Sequence, residues 1–120
     1  MKLTELIDKL SLTVYSPAVI PNVEVTGGYT CDLLSDVMGN SHEGDLWVTL
    51  QKHVNIVAVA QLNGLAAIVL VNGRKPEPDT AARAEEMGIP IISTPLQAFD
   101  AAGILYSSGI RGRRPVRRCS

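Results

Sequence analysis

The residues able to do chemistry in this chain gather where apolar runs stop. Gln51, Lys52, His53 and Asn55 follow the run at 45–50, Asn72, Gly73, Arg74 and Lys75 follow 65–71, and Ser93 and Thr94 follow 89–92. An imidazole at a strand–helix junction can accept or donate a hydrogen bond to a ligand or serve as acid or base. Arg74 and Lys75 on a flexible Asn-Gly backbone suit a phosphate or carboxylate. Ser93 and Thr94 stand before a proline, where a hydroxyl is either a helix cap or a ligand contact. Gly27-Gly28 reads as a turn between a strand and a helix start, which is either purely structural or an anion cradle of backbone N–H groups. The tentative site is therefore Gly27, Gly28, Gln51, His53, Asn55, Asn72, Gly73, Arg74, Ser93 and Thr94. Its expected occupant is a small anionic ligand, phosphorylated or nucleotide-like, or a docked protein.

Several chemistries have no visible machinery. There is no GxxxxGK[ST] phosphate loop, no dinucleotide-type glycine spacing and no GxSxG nucleophile. The two cysteines, Cys31 and Cys119, are far apart and no Cys/His ligand cluster accompanies them, so neither a metal nor a cofactor is expected. His42 lies in a polar turn and reads as surface, and Asp32 and Asp36 read as a solvated helix face. The sequence leans away from an enzyme, with acid–base catalysis by His53 as the alternative.

Those residues need a frame to hold them. A chain of 120 residues, 46% of them hydrophobic, supports one core. Residues 44–75 read as a β-α-β unit: a strand at 45–50, a helix from about 54 to 62 with Val54, Val57, Ala58 and Leu62 as its apolar positions, and a wholly apolar strand at 65–71. A helix through 79–86, a strand at 89–92 and a helix from Pro95, with Leu96, Phe99, Ala102 and Leu105 inward, complete a β-α-β-α-β-α order. Upstream, the patterns predict a helix at 4–10, strands at 12–15 and 23–26, and a helix over 30–38 that buries Leu33, Leu34 and Val37. The fold class is α/β, a single compact domain with a mostly parallel sheet covered by helices. In open sheets of this kind ligands bind at the carboxyl ends of strands, where most of the candidates fall.

Apolar runs stop well short of the ~20 residues of a membrane span, and the charged start lacks a signal-peptide core, so a cytoplasmic place is expected. Net charge is −1, which speaks against nucleic acid. Arg111, Arg113, Arg114, Arg117 and Arg118 nonetheless concentrate in 111–120, read as a flexible basic tail beside a domain at 1–110; phosphate contact through it is the alternative. Trp47 and Phe99 are read as core or as surface shared with a second copy, hence a homodimer.

The runs at 26–40, 44–50, 55–60, 71–74 and 91–95 together resemble stand-alone proteins of the DRTGG-domain family. The resemblance implies the fold of the N-terminal domain of HPr kinase/phosphorylase. It also implies a regulatory role of the kind the domain has beside CBS domains in some inorganic pyrophosphatases, where it contributes to dimer contacts. The chain departs from the namesake pattern: Gln51-Lys52-His53 stands where relatives carry Asp-Arg, and Val71-Asn72-Gly73 where they carry Thr-Gly-Gly.

Overall fold

A computed structural model describes residues 1–10, 12–18 and 20–112, so Arg113, Arg114, Arg117, Arg118 and Cys119 lie outside the described residues. The elements are α1 (Leu3–Leu10), β1 (Thr13–Ser16), β2 (Gly27–Thr30), α2 (Leu34–Asn40), β3 (Asp45–Thr49), α3 (Asn55–Asn63), β4 (Ala67–Leu70), α4 (Pro78–Met87), β5 (Ile91–Ser93) and α5 (Ala98–Ser107). They form a 5-stranded sheet of order β1-β5-β4-β3-β2. β2 through β5 pair in parallel, and β1 adds to β5 as an antiparallel edge.

Period-two alternation divides the core. Leu46, Val48, Val69 and Ile92 join Leu3 and Leu6 of α1 and Ala101 and Leu105 of α5 on one face. Trp47, Ile68, Leu70 and Ile91 meet Val37 of α2, Ile56, Val57 and Ala60 of α3, and Ala84 of α4 on the other. Sequentially ordered parallel strands with crossovers of one hand place every connecting helix on the same face, which is why α2, α3 and α4 share a layer. Trp47 is core: it is fully buried and its Nε1 donates to the Cys31 carbonyl at 2.8 Å. Gly64 and Gly88 end α3 and α4 at φ 65° and 70°, as the Asn-Gly and Met-Gly punctuation predicts.

Four local expectations are corrected. Residues 23–26 hold only an isolated bridge between Lys2 and Glu24, and the strand is Gly27–Thr30 instead. A glycine pair suits an edge strand here because Ile110 lies 3.2 Å from where a Gly28 Cβ would stand. The second helix begins at Leu34 rather than Thr30: Cys31 N extends the ladder to the Val48 carbonyl, and the Asp32 side chain is spent on β3. Leu33 consequently faces solvent. The last helix begins at Ala98, with Phe99 84% exposed and Ala101 and Leu105 buried. It starts late because the carbonyls of Thr94 and Leu96 accept from Gly73 N and Asn72 N. In α3 the buried residues are Ile56, Val57, Val59 and Ala60, so of the four apolar positions read from spacing only Val57 faces the sheet. Apolar residues on both sides of this helix make two stripes, and spacing does not say which of them faces the sheet.

The start of β3 depends on Gly44, whose φ is +86° and whose hypothetical Cβ would sit 2.2 Å from Thr26 Oγ1. Gly44→Ala is expected to lower stability by roughly 2–4 kcal/mol through strain and collision, measured by urea denaturation against the wild type.

Candidate functional site

The carboxyl ends of the four parallel strands stand side by side, and backbone and side-chain hydrogen bonds tie their loops into one surface. After β2, Asp32 accepts from Thr49 Oγ1 and from Leu50 N, both at 2.8 Å. Gln51 closes the same knot, its Nε2 donating to the Asp32 carbonyl at 2.9 Å and its N–H to Thr49 Oγ1 at 3.2 Å. After β3, the Lys52 carbonyl accepts from Thr80 Oγ1 at 2.8 Å and Glu77 N at 3.2 Å, which docks the start of α4 beside the start of α3.

That docking brings His53 Nδ1 to 2.7 Å from Glu77 Oε1, with the side chains 60% and 38% exposed. A carboxylate on one ring nitrogen orients the imidazole and leaves the other nitrogen for a ligand or solvent. Asn55, two residues on, opens α3 and is exposed.

After β4 the chain makes a tight turn. Arg74 N donates to the Val71 carbonyl at 3.1 Å, and Asn72 and Gly73 hold φ of 58° and 65°, the pattern that Asn-Gly favours in a type I′ turn. The N–H groups of Asn72 and Gly73 go to the carbonyls of Leu96 (2.8 Å) and Thr94 (2.9 Å), so this backbone is a clamp on the exit of β5. Ser93 Oγ donates to the Arg74 carbonyl at 2.9 Å, and Thr94 Oγ1 accepts from Leu96 N at 3.3 Å. Both hydroxyl residues are buried. What the clamp leaves to solvent is cationic: Arg74 and Lys75 are exposed and join no ion pair among the described residues.

Gln51, His53, Asn55, Asn72, Gly73, Arg74, Ser93 and Thr94 therefore share one end of the sheet. Gly27 and Gly28 do not join them. They begin β2 at the opposite end, where Gly28 N donates to the Arg111 carbonyl at 3.2 Å. The helix start they were expected to precede lies at Leu34. Asp32, expected with Asp36 on a solvated helix face, instead precedes α2 and holds the end of β3, and the contacts of Glu77 and Thr80 at this surface have no signal in the sequence, because the partners of all three are 17 to 28 residues away. Arg111 stacks on the Tyr106 ring, 3.8 Å from its centroid, and donates to the Tyr106 carbonyl.

Hollows among the described residues lie elsewhere on the surface. A small apolar one of about 50 Å³ lies between α1 and α5 and touches Thr94, and a shallow cleft of about 560 Å³ runs past Thr26, Gly44, Gly64 and Gly88. A third follows the outer side of α5. Gln51, His53, Asn55, Asn72, Gly73 and Arg74 line none of these three. No helix among the described residues is long and apolar enough to cross a membrane.

A mostly parallel sheet covered on both faces, with polar residues gathered at the ends of its strands, makes this a small α/β domain. The chain belongs to the DRTGG-domain family, whose model, the DRTGG domain, matches residues 25–108. It is similar in fold to a crystal structure of the CBS and DRTGG domains of the regulatory region of Clostridium perfringens pyrophosphatase, complexed with the activator diadenosine tetraphosphate. The TM-score is 0.65 at 18% identity, over 88% of this chain and 46% of that one, so this chain spans less than half the length of that region. No curated protein matches the chain.

The strand-end surface depends on the Asp32 knot. Asp32→Ala leaves Thr49 and Leu50 without their charged acceptor and is expected to cost about 1–3 kcal/mol, read from the shift of a urea unfolding curve with its slope unchanged.

Proposed function

We propose that this protein is a non-catalytic regulatory module of the cytoplasm, a homodimer that senses a small phosphorylated or nucleotide-like ligand at its strand ends. The observation that carries the reading is the pairing of a DRTGG domain with two exposed cations on a hydrogen-bonded strand-end turn, neither of them in an ion pair among the described residues. Arg74 and Lys75 project from the Asn72-Gly73 clamp, which is bonded to the carbonyls of Thr94 and Leu96. Cations held by a backbone that does not reorganise bind phosphate with little ordering cost. The structural neighbour, a regulatory region complexed with a dinucleoside activator, lends the ligand class.

Isothermal titration against nucleotides and sugar phosphates tests the sensor. Binding is expected, and Arg74→Ala with Lys75→Ala is expected to weaken it at least about tenfold, roughly 1.4 kcal/mol, at an unchanged melting temperature. If the wild-type protein binds nothing in the panel, the sensor reading fails and docking of a protein partner on the same surface replaces it. Light scattering tests the homodimer, with twice the chain mass expected.

A second reading rests on the 2.7 Å contact between His53 and Glu77, since an imidazole oriented by a carboxylate is half of an acid–base device. It requires a turnover that His53→Ala abolishes while the melting temperature stays nearly constant. On the regulatory reading no such turnover exists, and His53→Ala alters only ligand affinity.

A further inference from the structure

The first residue of a helix favours Ser, Thr, Asp or Asn, whose side chains answer an orphan backbone N–H. α2 and α3 depart from that. Leu33 caps α2 and Val54 caps α3, neither makes a side-chain cap bond, and they are 64% and 41% exposed. Both belong to the strand-end surface. Leu33 follows Asp32, whose carbonyl accepts from Gln51 Nε2, and Val54 follows His53, whose ring meets Glu77. α2 and α3 are neighbours on one face of the sheet, with Asn63 Nδ2 donating to the carbonyls of Val37 and Met38 at 3.1 and 3.0 Å. Helices packed in this way stand about 8–10 Å apart. The surface therefore has an apolar end at Leu33 and Val54 as well as a cationic end at Arg74 and Lys75.

We propose that the apolar end seats the base of a nucleotide whose phosphates lie on Arg74 and Lys75 and whose sugar lies between. This rests on the sensor part of the preceding reading and adds the ligand's class and direction. The sheet order sets the two ends on one line, since Leu33 follows β2, Val54 follows β3 and Arg74 follows β4, and these strands are successive neighbours. Strand exits stand about 4.8 Å apart, so the line from β2 to β4 covers roughly 10 Å. A nucleoside diphosphate bridges such a span and a free phosphate does not.

Charge sets the direction. The carboxylates of Asp32 and Glu77 lie toward β2 and β3 with one half-buried cation, Lys52, whereas the turn at 72–76 presents two exposed cations and no carboxylate. Phosphate is drawn to Arg74 and Lys75. Glu77 engages His53 through Oε1, which leaves Oε2 to accept from a sugar hydroxyl, as carboxylates do for ribose in dinucleotide folds. A base laid on Leu33 and Val54 takes their exposed surface out of water, a gain that a sugar phosphate or a bare anion cannot supply.

Isothermal titration with ADP, ribose 5-phosphate and pyrophosphate decides it, beside NMR of the side-chain methyl groups. ADP is expected to bind at least about tenfold more tightly than either fragment. It is also expected to shift the methyl signals of Leu33 and Val54, which pyrophosphate leaves in place. Leu33→Ser with Val54→Ser puts favoured caps at both helix starts, so the melting temperature is expected to hold or rise. The same double variant is expected to lose at least about tenfold in ADP affinity and less than about twofold in pyrophosphate affinity. The methyl signals are read on the wild-type protein, so the test holds even if the serine variant does not fold. Absence of binding by both ADP and pyrophosphate overturns the sensor reading and this one with it. The base site alone is overturned if either fragment binds as tightly as ADP, if bound ADP leaves both methyl signals in place, or if the serine variant keeps full ADP affinity.

Discussion

The turn at Asn72-Gly73 is fastened to the exit of β5 by two backbone hydrogen bonds, to the carbonyls of Thr94 and Leu96, and by the Ser93 hydroxyl on the Arg74 carbonyl. These three bonds set where β4 stops and delay the start of α5 to Ala98. They also fix the base from which Arg74 and Lys75 reach solvent. Turn and strand exit are about 20 residues apart in sequence, so the clamp exists only because the parallel ladder of β4 and β5 places them together. Loosening it would free an edge of the sheet and the cationic loop at once.

Behind the clamp the sheet supplies rigidity. β3 and β4 are buried along their whole length, between α1 and α5 on one side and α2, α3 and α4 on the other. Strands packed on both faces cannot slip by one residue without exchanging their two cores. The loops at their ends inherit that fixity, and Asp32, Gln51 and Thr80 extend it outward by joining neighbouring loops. A surface held in this way suits recognition by fixed charges more than it suits a mobile catalytic lid.

Much of this was legible beforehand. The order from β3 to α5, the buried character of β3 and β4 and the glycine stops of α3 and α4 follow from apolar runs and punctuation, because each signal is local to the element it describes. Places where two signals competed were not legible. Gly27-Gly28 carries a turn signal, yet pairing with Leu46 and contact with Ile110 make it strand. Thr94-Pro95 carries a helix-start signal, yet its carbonyl is taken by Gly73. Val54, Ala58 and Leu62 share one helical stripe, as their spacing says, but nothing in the spacing says which way the stripe points.

Taken alone, the sequence determined an α/β domain with a mostly parallel sheet, its resemblance to the DRTGG family, and the clustering of its polar residues at strand ends. Periodicity and turn chemistry act within a few residues and can be read along the chain. Only the tertiary structure decided that His53 meets Glu77, that Ser93 and Thr94 serve the clamp, that Gly27 and Gly28 lie at the far end of the sheet, and that α3 turns an uncharged stripe to solvent. Each of these follows from contacts between residues distant in sequence, and such contacts exist only once burial of both sheet faces has fixed which elements are neighbours.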